Sequence, residues 1–192
     1  RVLRGFQFAS RFQLVADSKT LEMCRELVLE ADTLPLERIW GEWEKWGMKG
    51  VAPSLGLRFL VDSGWIHLFP ELVNLMGVPQ DAEWHPEGCA WTHTLYVCDA
   101  AARICDREGV TGEGRVAMLL AALCHDLGKA LPEHGGTTVF EKGRWRSPGH
   151  AEAGVALSQR FLERIGCFER IIQRVLPLVA EHMVCVSGEG IN

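Results

Sequence analysis

The stretch that most constrains this chain is an unbroken apolar run from Val116 to Cys124 that ends in His125-Asp126-Leu127-Gly128-Lys129. A helix that is apolar on every side has to lie at the centre of a core, so it carries the polar residues at its end inward with it. Neighbouring residues on a helix point about 100° apart. At a helix terminus, however, a short Asp and a longer His can converge on one ion. Imidazole nitrogen and carboxylate oxygen together suit Mg, Mn, Fe, Ni or Zn. Gly128 lets the backbone turn out of the helix, and Lys129 then stands where a phosphate can be neutralised. The competing reading is a half-buried polar helix end.

Three more histidines sit in or beside helix-like segments. His93 lies within Trp91-Thr92-His93-Thr94-Leu95-Tyr96-Val97, His150 follows Pro148-Gly149, and His182 ends Leu178-Val179-Ala180-Glu181-His182. Singly, each is an ordinary core or cap histidine. Four separate His-bearing segments, one with an adjacent Asp, point to a shared site. The pattern resembles the HD superfamily of metal-dependent phosphohydrolases, on His93, His125, Asp126 and the Asp-Leu-Gly-Lys continuation. Gly149, His150 and Gly154 match a Gly-His-x-x-x-Gly stretch of HD-containing relatives. The resemblance implies a divalent ion (Mg, Mn, Ni, Fe or Zn) held by His93, His125 and Asp126, with His150 and His182 completing the site or holding a second ion. It implies catalytic roles for Asp126 and Lys129, with Arg144 and Arg146 gripping phosphate. The implied substrates are 2′,3′-cyclic nucleotides, 2′-nucleotides and phosphorylated RNA ends. The later Asp of that superfamily has no counterpart between His182 and Asn192. A degenerate domain that positions tRNA or mediates dimer contacts without turnover is therefore the rival reading.

The first half of the chain resembles a second thing. Arg1-Val2-Leu3-Arg4, Gln7-Phe8-Ala9-Ser10-Arg11-Phe12 and Leu36-Glu37-Arg38-Ile39 with Glu42 and Lys45 are similar to the neck helices of bacterial tRNA nucleotidyltransferases, the CCA-adding enzymes. An HD domain follows the neck and body in some of them, and His85-Pro86-Glu87 resembles its lead-in. The resemblance implies nucleotide or RNA contacts for Arg1 and Arg4, tRNA as partner of the parent protein, and a polymerase head preceding residue 1. The chain has no initiator Met and reads as a neck-plus-HD piece. Residues 1–80 are expected to form the neck and body, and residues 81–192 the HD domain. No paired carboxylates for a two-metal polymerase site stand before Asp17.

Composition sets the outer limits. The chain has 192 residues, enough for an ample core without staples. A formal charge of −5 gives no overall pull on nucleic acid, so RNA contact requires a local basic patch. Seven cysteines without a CxxC pair read as reduced buried thiols of a cytoplasmic protein. No apolar run approaches the roughly 18 residues of a membrane span. A homodimer is a further expectation.

Helical periodicity predicts an all-α protein, with helices over residues 1–12, 19–31, 36–46, 54–63, 70–76, 87–108, 116–126, 151–165 and 168–182. Asp17 or Ser18 is the N-cap of the second, and Pro177 is expected to kink the last. Trp40, Trp43 and Trp46 fall on one helical face and read as packing. Residues 132–149 form a polar, Gly-rich excursion with a β-like Val139-Phe140, suited to a lid or a phosphate grip.

Overall fold

The computed structural model describes residues 1–184 and is all-α apart from one small hairpin. Helices α1 (Val2–Phe12), α2 (Ser18–Glu26), α3 (Leu36–Lys49), α4 (Pro53–Asp62) and the short α5 (Pro70–Val73) make the first half. The second half holds α6 (Ala90–Arg107), α7 (Gly112–Cys124), α8 (His150–Arg164) and α9 (Glu169–Glu181). Between α7 and α8 lie a 3-10 turn over Leu127–Lys129 and the antiparallel strands β1 (Val139–Glu141) and β2 (Arg144–Arg146). Among the described residues no helix is long and apolar enough to cross a membrane.

The apolar run is the hub. Helix α7 packs against α3, α6 and α9, and Val116, Leu119, Leu120 and Leu123 are fully buried. It begins at Gly112, four residues before the apolar run, because Arg115 is accommodated inside. The guanidinium donates to Asp106 Oδ1 at 2.7 Å and to the Gly50 and Ala102 carbonyls at 2.8 and 3.3 Å. Those partners satisfy a charge that could not otherwise be buried.

The tryptophan stripe of α3 is core. Trp43 is fully enclosed and meets Phe6, Trp46, Phe69 and Phe161 with ring centroids 4.6–5.5 Å apart. Tilted and edge-on aromatic packing of this kind joins α1, α3, α5 and α8 into one apolar cluster. Arg164 of α8 adds a side-on ion pair with buried Glu71, Nη2 to Oε1 at 2.9 Å and Nε to Oε2 at 3.1 Å.

Several helix limits differ from the sequence expectation. Helix α2, capped by Asp17 accepting from the Thr20 amide, stops at Glu26 and tightens into a 3-10 stretch over Val28–Thr33. The Cys24 carbonyl there accepts the indole N–H of Trp65 at 2.8 Å. Helix α3 runs past Trp46 to Lys49, and α6 starts at Ala90 rather than at Glu87. Helix α9 continues through Pro177.

Candidate metal centre

Helix α7 ends at Cys124, so His125 and Asp126 occupy the turn out of the helix and escape the angular spacing of adjacent helical residues. His125 Nε2 lies 3.2 Å from Asp126 Oδ2. The 3-10 turn that follows sits tightly on the start of α8. A Cβ on Gly128 would lie 1.9 Å from the His150 carbonyl oxygen and 2.7 Å from the Gly154 amide nitrogen. Only a residue with no side chain allows that approach, which brings His150 of α8 to Asp126. His150 Nε2 is 3.4 Å from Asp126 Oδ1, and His182, just beyond α9, places its Nε2 3.8 Å from the same oxygen. His93 of α6 reaches the other oxygen, Nε2 to Oδ2 at 3.9 Å.

Four imidazoles from four segments thus surround one carboxylate. They line a cavity of about 410 Å³ together with His85, Gln80, Lys129 and Arg146.

Each ring is held by its other nitrogen. His125 Nδ1 donates to the Ala122 carbonyl at 2.8 Å, His150 Nδ1 to that of Ser147 at 2.9 Å, and His182 Nδ1 to that of Val179 at 2.6 Å. A carbonyl only accepts, so Nδ1 carries a proton in each and Nε2 is the nitrogen turned to the cleft. His93 Nδ1 lies 2.6 Å from Glu87 Oε1, which His85 Nδ1 also contacts at 3.0 Å. Burial alone would push the Glu87 carboxyl up. Its own backbone amide and the two imidazoles hold it down at about 2 instead. Glu87 is therefore ionised at neutral pH and fixes His93 in the same tautomer.

The outcome is a cluster of ring nitrogens and carboxylate oxygens crowded round one point. His150 Nε2 and His182 Nε2 stand 3.1 Å apart. Asp126 is almost wholly buried, and its Oδ2 accepts no well-aligned hydrogen bond although Lys129 Nζ is 2.9 Å away. Lys129 Nζ instead aims a hydrogen bond at Gln80 Oε1, 2.8 Å distant. Burial pushes the Asp126 carboxyl up, but His125 and His150, when protonated, and Lys129 hold it well below the usual carboxylate range. Burial shifts His93 and His182 the other way, toward the neutral ring. The donor set of imidazole nitrogens and one carboxylate fits borderline divalent ions. Among the described residues three groups of donors lie close enough together for one ion: His85, Glu87 and His93; His93, His125 and Asp126; and Asp126, His150 and His182. Asp126 belongs to the last two, Oδ2 facing His93 and His125 and Oδ1 facing His150 and His182.

The arginines divide. Arg146 lines the cavity. Arg144 turns to the loop before α6, Nε donating to Asp81 Oδ2 at 2.6 Å and Nη2 to Glu83 Oε2 at 3.3 Å. Arg1, just before α1, and Arg4 within it line a separate cavity of about 540 Å³ with Arg38, Glu37 and Lys45 of α3. The sequence places Glu87 only in the His85-Pro86-Glu87 lead-in and assigns no site role to it or to Gln80, Trp84 or Trp145. For Glu87 the available signal was its place two residues after His85 and six before His93.

Comparison with known proteins places the chain in a family. The family model described as HD domain matches residues 90–187, just over half of the chain. The chain is also 39% identical over 172 residues to the "Multifunctional CCA protein" of Halorhodospira halophila, strain DSM 244 / SL1. That match covers 86% of this chain and 37% of the relative, so the chain corresponds to little over a third of the relative's length. On the extent of the family match and on the His-Asp cluster at the end of α7, the chain belongs to the HD domain family.

Proposed function

We propose that the cleft around Asp126 is the centre of a divalent-metal-dependent phosphohydrolase acting on 2′,3′-cyclic and related nucleoside phosphoesters, within a CCA-adding-type parent protein. The observation that carries this reading is the convergence of four imidazole Nε2 atoms on one buried carboxylate with a lysine beside it. His93 and His125 with one Asp126 oxygen, and His150 and His182 with the other, would hold one ion or a pair. A divalent ion there supplies Lewis acidity, lowering the pKa of water toward about 7 and polarising a phosphoryl oxygen.

The chain's own residues do the rest. Asp126 orients the attacking water, and its burial keeps competing solvent away. Lys129 Nζ, held between Asp126 and Gln80, and the guanidinium of Arg146 balance the charge on the phosphate. Glu87 and the three backbone carbonyls keep every imidazole in one tautomer, so no ring has to reorganise during the reaction. Water adds to phosphorus, one ribose–oxygen bond to phosphorus breaks, and that oxygen leaves with a proton, giving a nucleoside monophosphate. Residues 1–80 serve as neck and body of the parent and residues 81–192 as the HD unit. Arg1 and Arg4, beside Arg38 and Lys45, supply its nucleotide or tRNA contacts.

Hydrolysis of 2′,3′-cyclic AMP with Mg, Mn, Ni and Zn, against an Asp126→Ala control, tests the reading. Metal-dependent turnover that vanishes in the variant is expected. No turnover with any ion sinks the hydrolase claim and leaves the cluster as a structural or tRNA-positioning element.

A further inference from the structure

We infer that Trp84 and Trp145 form an aromatic clamp that stacks a nucleobase beside the cleft, so that the site selects nucleoside phosphoesters and RNA ends over phosphoesters lacking a base. The inference rests on the phosphohydrolase reading and adds the residues that choose the substrate. Trp84 is 72% exposed, an unusual position for the largest apolar side chain, yet it lines the same cavity as His93 and Asp126. Trp145 lines it from the hairpin, and Arg146 follows it in the same strand.

The two indoles are carried on segments tied to one another. On the hairpin, Trp145 is paired across the strands with Phe140, ring centroids 5.1 Å apart at 63°. Thr138 anchors the hairpin base, its hydroxyl 2.5 Å from the Lys129 carbonyl and 2.6 Å from Ser147 Oγ. The loop bearing Trp84 is bound to the hairpin through Arg144, which grips Asp81 and Glu83 just ahead of that indole. Arg144 is therefore a positioning residue for both indoles rather than a phosphate ligand. A cavity of about 410 Å³ has the volume of a small-ligand site, in the range of roughly 300–1,000 Å³. Stacking on an aromatic face needs no particular base, because every base has a π-face.

The test compares kcat/KM for 2′,3′-cyclic AMP and for glycerol 1,2-cyclic phosphate, which carries the same cyclic phosphodiester without a base. The wild-type preference for the nucleotide is expected to fall about 5- to 100-fold in Trp84→Ala, mainly through KM. Trp84→Phe should recover most of it, and Arg144→Ala should lose part of it. Equal turnover of both substrates by the wild type, or equal loss on both in Trp84→Ala, overturns the clamp. Calorimetric binding of adenosine 2′-monophosphate and ribose 5-phosphate to the same proteins separates the two claims. If neither cyclic substrate turns over but the adenosine compound binds more tightly and Trp84→Ala removes that difference, hydrolysis fails and the clamp stands. Absence of base-dependent binding overturns the clamp whatever the turnover.

Discussion

Gly128→Ala perturbs the joint on which the cleft depends. The added methyl would sit 1.9 Å from the His150 carbonyl oxygen and 2.8 Å from its carbon, against an ordinary contact of 3.4–4 Å. Both obstacles are backbone, so no side-chain rotation relieves the overlap, and the 3-10 turn has to part from α8. Overpacking a tight core typically costs 1–3 kcal/mol, and a backbone clash belongs at or beyond the upper end, about 3–4 kcal/mol. For a chain of this length that corresponds to a drop in Tm of roughly 6–16 °C. Urea denaturation and thermal melts of metal-free protein measure it. His150 moves with α8, so Mn(II) affinity should also weaken, by about tenfold for one displaced ligand. Gly154→Ala is the control: its methyl meets Gly128 N at 3.3 Å and Val179 Cγ1 at 3.5 Å, contacts that small shifts absorb. Its cost should stay within about 1 kcal/mol, since alanine is also the better helix former. Gly128→Ala melting within 1 °C of wild type would refute the reasoning.

Three other outcomes are expected. The Glu87 carboxyl is held below its unfolded value, so its contribution is present above about pH 4.5 and lost as pH falls toward about 2. Glu87→Gln should thus cost the metal-free protein about 1–2 kcal/mol at pH 7, allowing for screening at the cavity mouth, and nothing near pH 2; equal loss at both pH values contradicts this. Alkylation at pH 8 followed by mass spectrometry should modify Cys89 before the other described cysteines. Burial opposes ionisation there but Thr92 outweighs it, whereas burial pushes the Cys167 thiol up to about 12 and that of Cys98 well above its ordinary value. Trp43→Ala should cost about 3–5 kcal/mol in urea denaturation, because Trp43 is the meeting point of four other rings; a cost under 1 kcal/mol would show the core repacks.

Much of this molecule can be read from local sequence. The all-α fold follows from periodicity, and four histidines and one aspartate were recognisable because each stands at a helix end or beside an apolar run. What escaped is tertiary. The helix expected to stop at Trp46 continues through Gly47 to Lys49, and a Cβ at Gly47 would come within 3.2 Å of the Val116 Cα. Helix α2 ends early, and the Cys24 carbonyl of its last turn accepts from Trp65, 41 residues away. Glu87 fits the first turn of α6 by pattern, but it stands outside the helix and accepts from two histidines. Arg144 reads as a phosphate ligand by composition; its partners Asp81 and Glu83 lie some sixty residues earlier in a loop. No periodicity encodes such pairings.

The most direct test of the central claim is a titration of Mn(II) into chelator-stripped protein while 2′,3′-cyclic AMP hydrolysis is followed. The account requires turnover to rise with ion occupancy in the wild type and to be absent in Asp126→Ala at every concentration. Full occupancy without turnover, or turnover undiminished in Asp126→Ala, would contradict it.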